Sequence, residues 1–362
     1  MSESAENQRV VNTGTATARL TPTRRGAFGV LLGLAAQLRG AALPTEAKRR
    51  KHRNRKRKKK VTLCQDDQTI TVKKKQQQGY LDDGATVGAC TCLPPTQNLQ
   101  AAIDAAAPGT TIELCPGTWQ FPGFPNPFDA AMTLAKNLRI VGAGSERTVV
   151  TGKGANIHGM IVERQAVVHV EGLTLTEFVP AYKSGAGIFN DGSLTLVDVV
   201  ISRCGITDNN NSGGGIYNTG TLSLNNCSVT QNASDTRGGI ANLGTATLSN
   251  CRITNNHTGS PGQTCCGGIG NSGTMTLIDT LVAENKESNG QGGGIGNSGM
   301  LTLDRSHVTR NTAMNRFGPE TMAGGIFNGT GGSVVLKNGS TITNNSPSNC
   351  VGSDPPIPGC ID

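Results

Sequence analysis

GGGIYNTGTLSLNNCSVTQN, from Gly213 to Asn232, is one copy of a sentence repeated with variations from about Gly185 to Asn345. The next copies read GGIANLGTATLSNCRITNN, GGIGNSGTMTLIDTLVAEN and GGIGNSGMLTLDRSHVTRN. Anchored on Ile188, Ile216, Ile240, Ile269, Ile295 and Ile326, the gaps are 28, 24, 29, 26 and 31 residues. A period in that range marks a solenoid in which each repeat is one turn of structure. Counting each isoleucine as position zero, position two is always asparagine: Asn190, Asn218, Asn242, Asn271, Asn297 and Asn328. Positions six and eight are leucine in most copies, as in Leu194 and Leu196 or Leu301 and Leu303, and position thirteen is Ile201, Val229, Ile253, Val282 or Val308.

That alternation has period two and is broken by glycine or asparagine, so each repeat reads as two or three short strands joined by tight turns. No run has the length and spacing of a long amphipathic helix. The pattern predicts an all-β chain folded as a right-handed parallel β-helix. The position-two asparagines share the parity of the isoleucine and point inward. Stacked at about 4.8 Å per rung, their amides are expected to bond the copies above and below as a structural ladder.

These repeats resemble the bacterial right-handed parallel β-helix proteins with the pectin-lyase-like fold. The resemblance covers roughly Thr96 to Asn345, and its motifs specify the fold strongly and the function weakly. That fold hosts polysaccharide lyases, hydrolases and esterases, so the resemblance calls for a search for their chemistry. Hydrolysis in such folds uses two or three carboxylates from neighbouring coils. Here Asp66-Asp67 and Asp82-Asp83 lie outside the coils, and His158-Gly159 is only a fragment of a catalytic motif. Asp198 and Asp279 share position ten but belong to coils separated by two others. Elimination uses a calcium cluster and an arginine base, whereas Arg203, Arg252, Arg305 and Arg310 are scattered.

The chain divides into five stretches. Residues 1–47 read as an export signal: Arg24-Arg25 precedes an apolar stretch from Val30 to Ala36, resembling a Tat signal with Ala47 as a cleavage point. Residues 48–60 hold eleven Lys or Arg in thirteen positions. Such a run cannot fold alone and serves either as a solvated linker or as a tether to anionic lipid or wall polymer. Lacking interleaved aromatics, it offers no platform for nucleic acid. The net charge of +8 belongs to this tail, since residues 61–362 carry 17 basic and 22 acidic side chains.

Residues 61–92 form a small module bracketed by Cys64 and Cys90, which suggests a disulfide. It resembles a cysteine-bracketed module of exported bacterial proteins in which histidines often follow the first cysteine and flank a leucine. Gln65, Tyr80 and Asp82 hold those places here, so no metal role carries over. Residues 93–345 are the solenoid, with 96–119 as its cap: Leu99, Ile103 and Ala106 or Ala107 share a helical face, and Pro108-Gly109 ends the helix. Trp119, Phe121, Phe124 and Phe128 follow as cap core or as a sugar-stacking platform. Residues 346–362 are a tail.

Eleven cysteines in an exported chain imply disulfides. Cys350 and Cys360 suit a staple of the tail, and Cys92 and Cys115 a tie between module and cap. Cys227 and Cys251, both at position eleven of adjacent coils, are expected inward, bonded to each other or as buried thiols. Cys265-Cys266 is a vicinal pair without the spacing of a zinc site. No cofactor or metal is expected, and no apolar run reaches the length of a membrane span.

Positions five and seven face outward and carry small hydroxyls, among them Thr221 and Ser223, Thr245 and Thr247, Thr274 and Thr276. Threonine suits exposed strands, and such a face also suits glycan or ice. After position sixteen the coils insert 11, 7, 12, 9 and 14 residues. These loops hold Arg237, His257, Lys286, Glu287, Arg316, Phe317 and Glu320, the candidate ligand contacts, because variable loops on a rigid scaffold carry recognition. The sequence thus points to an exported, surface-associated protein that binds carbohydrate or wall polymer without catalysis. A polysaccharide-degrading enzyme and a passive spacer are the alternatives.

Overall fold

The computed structural model of the chain describes residues 60–65, 68–83, 86–87, 91–121, 130–153, 155–181, 184–206, 211–259, 264–314 and 322–362. The export-like start, most of the basic run, Cys90, Phe124, Phe128, Arg316, Phe317 and Glu320 lie outside the described residues. Among the described residues, three parallel sheets of eight, nine and nine strands wind as a parallel β-helix. One coil is Ile188–Asn190, Ser193–Val197 and Val200–Ser202, contributing to the first, second and third sheet in turn. Its strands pair in register with the next coil: Ile188 with Ile216, Asn190 with Asn218, Leu194 with Leu222, Ile201 with Val229. Less regular coils precede it, beginning with Thr111–Glu113 and Gly117–Gln120.

Register follows from burial. Leu194, Leu196, Ile201 and their counterparts in the next four coils are at most 1% exposed, and a slip of one residue would turn all of them outward. Corners between the second and third sheets are made by position ten, where Asp198, Asn226, Asn250, Asp279 and Arg305 all have φ between 46° and 56°. That left-handed conformation turns the chain within one residue, and Asn and Asp tolerate it best among non-glycines.

Both ends of the stack are covered. The helix Leu99–Ala105 is capped by the Asn98 side chain, which accepts from Ala101 N–H at 3.0 Å, and it inserts Leu99 and Ile103 into the main core. This shields strands that would otherwise template aggregation. Cys92 is bonded to Cys115 and Cys350 to Cys360. The tail closed by the second bond buries Ile357 against the last coil. The small module pairs Lys60–Gln65 antiparallel with Gln68–Lys73 and has its own core of Leu63 and Val72. Cys64 is disulfide-bonded; its expected partner, Cys90, is among the residues not described.

The expectation of a Cys227–Cys251 bond is corrected. Both are free, buried thiols, as is Cys204. Copies stacked in register stand about 4.8 Å apart and point the same way, whereas a disulfide wants Cβ atoms about 3.8 Å apart and converging. Each thiol instead donates across its corner to the carbonyl two residues earlier, Asn225 O and Ser249 O, both at 3.2 Å. Thr280 and Ser306 make the same bond in the following coils. Burial pushes the Cys204 thiol up to about 12, and the Cys251 side chain together with burial pushes Cys227 up. Cys204 and Cys227 thus stay protonated, and the Cys227 side chain holds the Cys251 thiol below its ordinary value. Cys227 and Cys251 serve as one rung type in a column of small donors at position eleven.

Candidate functional site

Two buried amide columns set the frame on which every surface residue is placed. In the first, Asn190 Nδ2 donates to Asn218 Oδ1 at 2.7 Å, and the relay continues through Asn242, Asn271 and Asn297 to Asn328 in steps of 2.7 to 2.8 Å. Each Nδ2 also donates to a backbone carbonyl at the nearby turn, as Asn242 does to Gly244 O. The second column was not anticipated: Asn232, Asn256, Asn285 and Asn311 at position sixteen and Asn345 three places later in the longer last coil, linked at 3.0 Å. There the backbone N–H and Nδ2 of one residue both donate to the Oδ1 of the next, as Asn256 does to Asn285. Both columns end on the tail, where Asn328 Nδ2 donates to Pro355 O and Asn349 Nδ2 to Ile361 O.

Beyond position sixteen the inserted segments form a fourth parallel sheet of Ala233–Ser234, His257–Thr258, Lys286–Glu287 and Thr312–Ala313. This sheet sorts the candidate contacts. His257 and Lys286 are register partners, both exposed. Glu287 is corrected: its neighbour parity turns it inward and it is fully buried, with Thr258 Oγ1 donating to its carboxylate and Asn289 N–H donating at 2.9 Å. It holds the sheet rather than meeting a ligand.

Partial burial, and then the charge of Lys286, hold His257 below its ordinary value. The sign follows. With the folded pKa below the unfolded value of about 6.5, the unfolded chain binds the extra proton more readily. Stability from this group is full above about pH 6.5 and declines as pH falls toward the folded pKa. In an NMR titration His257 is expected to titrate below a free histidine, and Lys286→Ala to move it upward. An unmoved value would remove the lysine from the account.

Arg237 belongs to a different surface, the outer face of the first sheet, made by position one of each coil: Ile161, Phe189, Tyr217, Ala241, Gly270, Gly296 and Phe327. Phe189 and Tyr217 stack with ring centroids 5.6 Å apart and planes 14° from parallel. Both are half-buried. Farther along the row, side chains from the inserted segments take over. A Cβ at Gly270 would meet the Arg237 side chain at 2.3 Å, and one at Gly296 would meet the sulfurs of Cys266 and Cys265 at 2.2 and 2.3 Å. Cys265 and Cys266 are bonded to each other. The row therefore runs from a stacked aromatic pair past a guanidinium over Gly270 to a disulfide over Gly296.

The sequence signal for this row was present but unused. Position one is aromatic in two consecutive coils, and it becomes glycine in the two coils that follow Arg237 and Cys266, each three residues before an anchoring isoleucine. Five carboxylates on the coils, by contrast, are occupied. Glu171 is paired with Arg139, Glu177 with Arg203, Asp191 with Arg164, Asp279 with Arg305 and Glu284 with Arg310, each across adjacent coils. The Arg139 and Arg305 bonds hold Glu171 and Asp279 below the usual carboxylate range, the reverse of what a general acid needs. Among the described residues no cluster of three or more His, Cys, Asp or Glu could hold a metal ion.

Fold and surface together define a parallel β-helix protein with one loop-bearing side and one ring-stacking row. No protein-family model matches the chain. Two curated proteins of Azotobacter vinelandii match in part: mannuronan C5-epimerase AlgE3 at 41% identity and mannuronan C5-epimerase AlgE1 at 42%, each over 88 residues. The match takes in 23% of this chain and only 4% and 6% of those proteins' lengths. Among solved structures, pectate lyase Pel9A aligns at 14% identity with a TM-score of 0.38, covering 72% of this chain and 65% of its own. Geobacillus virus E2 ORF18 aligns at 11% and 0.32, covering 78% and 66%.

Proposed function

We propose that the protein binds polysaccharide without cleaving it, through the outer face of the first sheet, and works outside the cell. The observation that carries this reading is the Phe189–Tyr217 pair. Two parallel rings stacked one rung apart, half-buried on a rigid sheet, form an aromatic ridge that is ordered before binding and against which the apolar face of a sugar ring can pack. Partial matches to mannuronan-modifying enzymes support a polysaccharide as the partner. Carboxylates engaged in cross-coil ion pairs support binding over acid–base chemistry. Disulfides support an oxidising compartment, in keeping with the Tat-like start, and no helix among the described residues is long and apolar enough to cross a membrane.

A polysaccharide-modifying enzyme is the second reading, favoured by what the partial matches are named for. A panel of soluble polysaccharides, scored for retention and for released or altered chain ends, separates the two. Retention without new ends is expected, and Tyr217→Ala should weaken it about tenfold, the scale of an aromatic contact at the centre of an interface. New reducing or unsaturated ends, abolished by one Asp or Glu substitution, would replace binding with catalysis. Retention by nothing in the panel would leave only a spacer.

A further inference from the structure

Arg237 is a cation without a counter-charge. Its Nη1 donates to Ser212 Oγ at 3.2 Å, its Nε is buried with no hydrogen-bond partner, and it makes no ion pair among the described residues. Asp235, two residues upstream, is engaged elsewhere. Arg139, Arg164, Arg203, Arg305 and Arg310 each hold a carboxylate across adjacent coils, and Arg252, which makes no ion pair among the described residues, is exposed, whereas Arg237 is half-buried without one. Burial also makes its charged form harder to keep than that of a free arginine. A guanidinium presents five donors in a planar fork that fits a carboxylate or sulfate. Leaving it half-desolvated and underused costs stability that an incoming anion would restore.

Its location is fixed rather than incidental. The aliphatic stem lies across Gly270, where any Cβ would strike Cδ, Nε and Cγ at 2.3 to 2.7 Å. The same row of the sheet runs from Gly270 to Ala241 to Tyr217. The half-buried aromatic pair therefore lies two rungs, or roughly 10 Å, from the backbone beneath the cation, about the span of two sugar rings.

We infer that Arg237 is the anion-recognising contact of the aromatic row, so that the preferred ligand is an acidic glycan: one sugar ring packs against the stacked Phe189–Tyr217 pair while a carboxylate or sulfate farther along the chain is held by Arg237. The inference rests on the polysaccharide reading above and deepens it. Carboxylate and sulfate share the chemistry, and the test distinguishes them.

Polygalacturonate, dextran sulfate and neutral dextran serve as probes against the full exported chain at low and at physiological salt, with wild type, Arg237→Gln and Arg237→Lys compared. Wild type is expected to bind at least one acidic probe roughly tenfold or more tighter than dextran, the scale of one charge-assisted contact. Whichever acidic probe binds tighter names the anion. Arg237→Gln should remove that preference while leaving weak dextran binding that Tyr217→Ala abolishes. Arg237→Lys, which keeps the charge and loses the fork, should recover only part of the preference. Thermal unfolding separates loss of fold from loss of contact, and Gly270 needs no change in any variant. Equal affinity for acidic and neutral probes, or a preference that survives Arg237→Gln in a folded protein, overturns the inference alone. Binding to none of the three overturns the polysaccharide reading with it.

Discussion

Asn285→Leu is expected to lower the free energy of unfolding by about 3–6 kcal/mol. Asn285 stands in the middle of the second amide column, 1% exposed. Its Oδ1 accepts from both N–H and Nδ2 of Asn256 at 3.0 Å, and its Nδ2 donates to Ile253 O at 2.8 Å and to Asn311 Oδ1 at 3.0 Å. Leucine has the same branched outline and is bulkier, so the cost is not a cavity. It is the loss of partners for Asn256 N–H, for one of the two Asn256 Nδ2 hydrogens (the other stays on Val229 O at 2.9 Å) and for the Ile253 O lone pair that accepted from Asn285, in a place water does not reach, each costing about 1–3 kcal/mol. Asn311 Oδ1 keeps the Asn285 backbone N–H and is spared. Asn345→Leu, near the tail and half-exposed, should cost about 1–2 kcal/mol because solvent can replace its bonds. Urea unfolding of the two variants beside the parent measures both. Equal losses would mean that burial within the column is not what sets the energy.

Gly244→Ala should be nearly as damaging, with a loss of about 3–5 kcal/mol. Gly192, Gly220, Gly244, Gly273 and Gly299 stack at position four, in the two-residue turn between the first and second sheets. A Cβ on Gly244 would sit 2.1 Å from Gly220 O, and one on Gly273 would sit 2.0 Å from Gly244 O. The obstacle is backbone on the neighbouring coil, so relief requires two rungs to separate, and the bonds of Asn218 and Asn242 to these same carbonyls would be drawn apart. Gly259→Ala meets nothing within 4 Å and should be neutral or slightly stabilising, by up to about 1 kcal/mol. If both substitutions cost the same in urea unfolding, close approach of the coils is not the reason for glycine in the turn.

How far the sequence could be read is decided by where strict alternation holds. Asn190 and its copies lie in the same strand as the anchoring isoleucine, two residues on, so parity alone turns them inward. Asn232 and its copies are equally recurrent, yet each follows a residue with positive φ: Gln231 at 57°, Asn255 at 57°, Glu284 at 60° and Arg310 at 53°. That corner resets which way the next side chain points, and a period-two count carried across it fails. Glu287 was misplaced for the same reason, because two corners and a short loop strand separate it from the last countable position. The Arg237–Gly270 and Cys266–Gly296 pairs are legible only when glycine in one coil is compared with bulk in the coil before it. His257 and Lys286 both stand at position seventeen, one residue past the second amide column and ahead of any difference in loop length, so their pairing was countable in the sequence.

The amide relays have a direction. Every Nδ2 in the first column gives its proton toward the C-terminal end, the initial Asn190 Oδ1 receives none, and the last donor is spent on a carbonyl of the tail. Interior coils are thus interchangeable while the two ends are not. A segment such as residues 240–268 brings one acceptor and one donor for each column, so its duplication or excision leaves neither terminus altered. Length can drift by whole coils in such a lineage, and the binding row would lengthen or shorten with it, whereas grafting a coil beyond the tail would meet a chain of dipoles already closed.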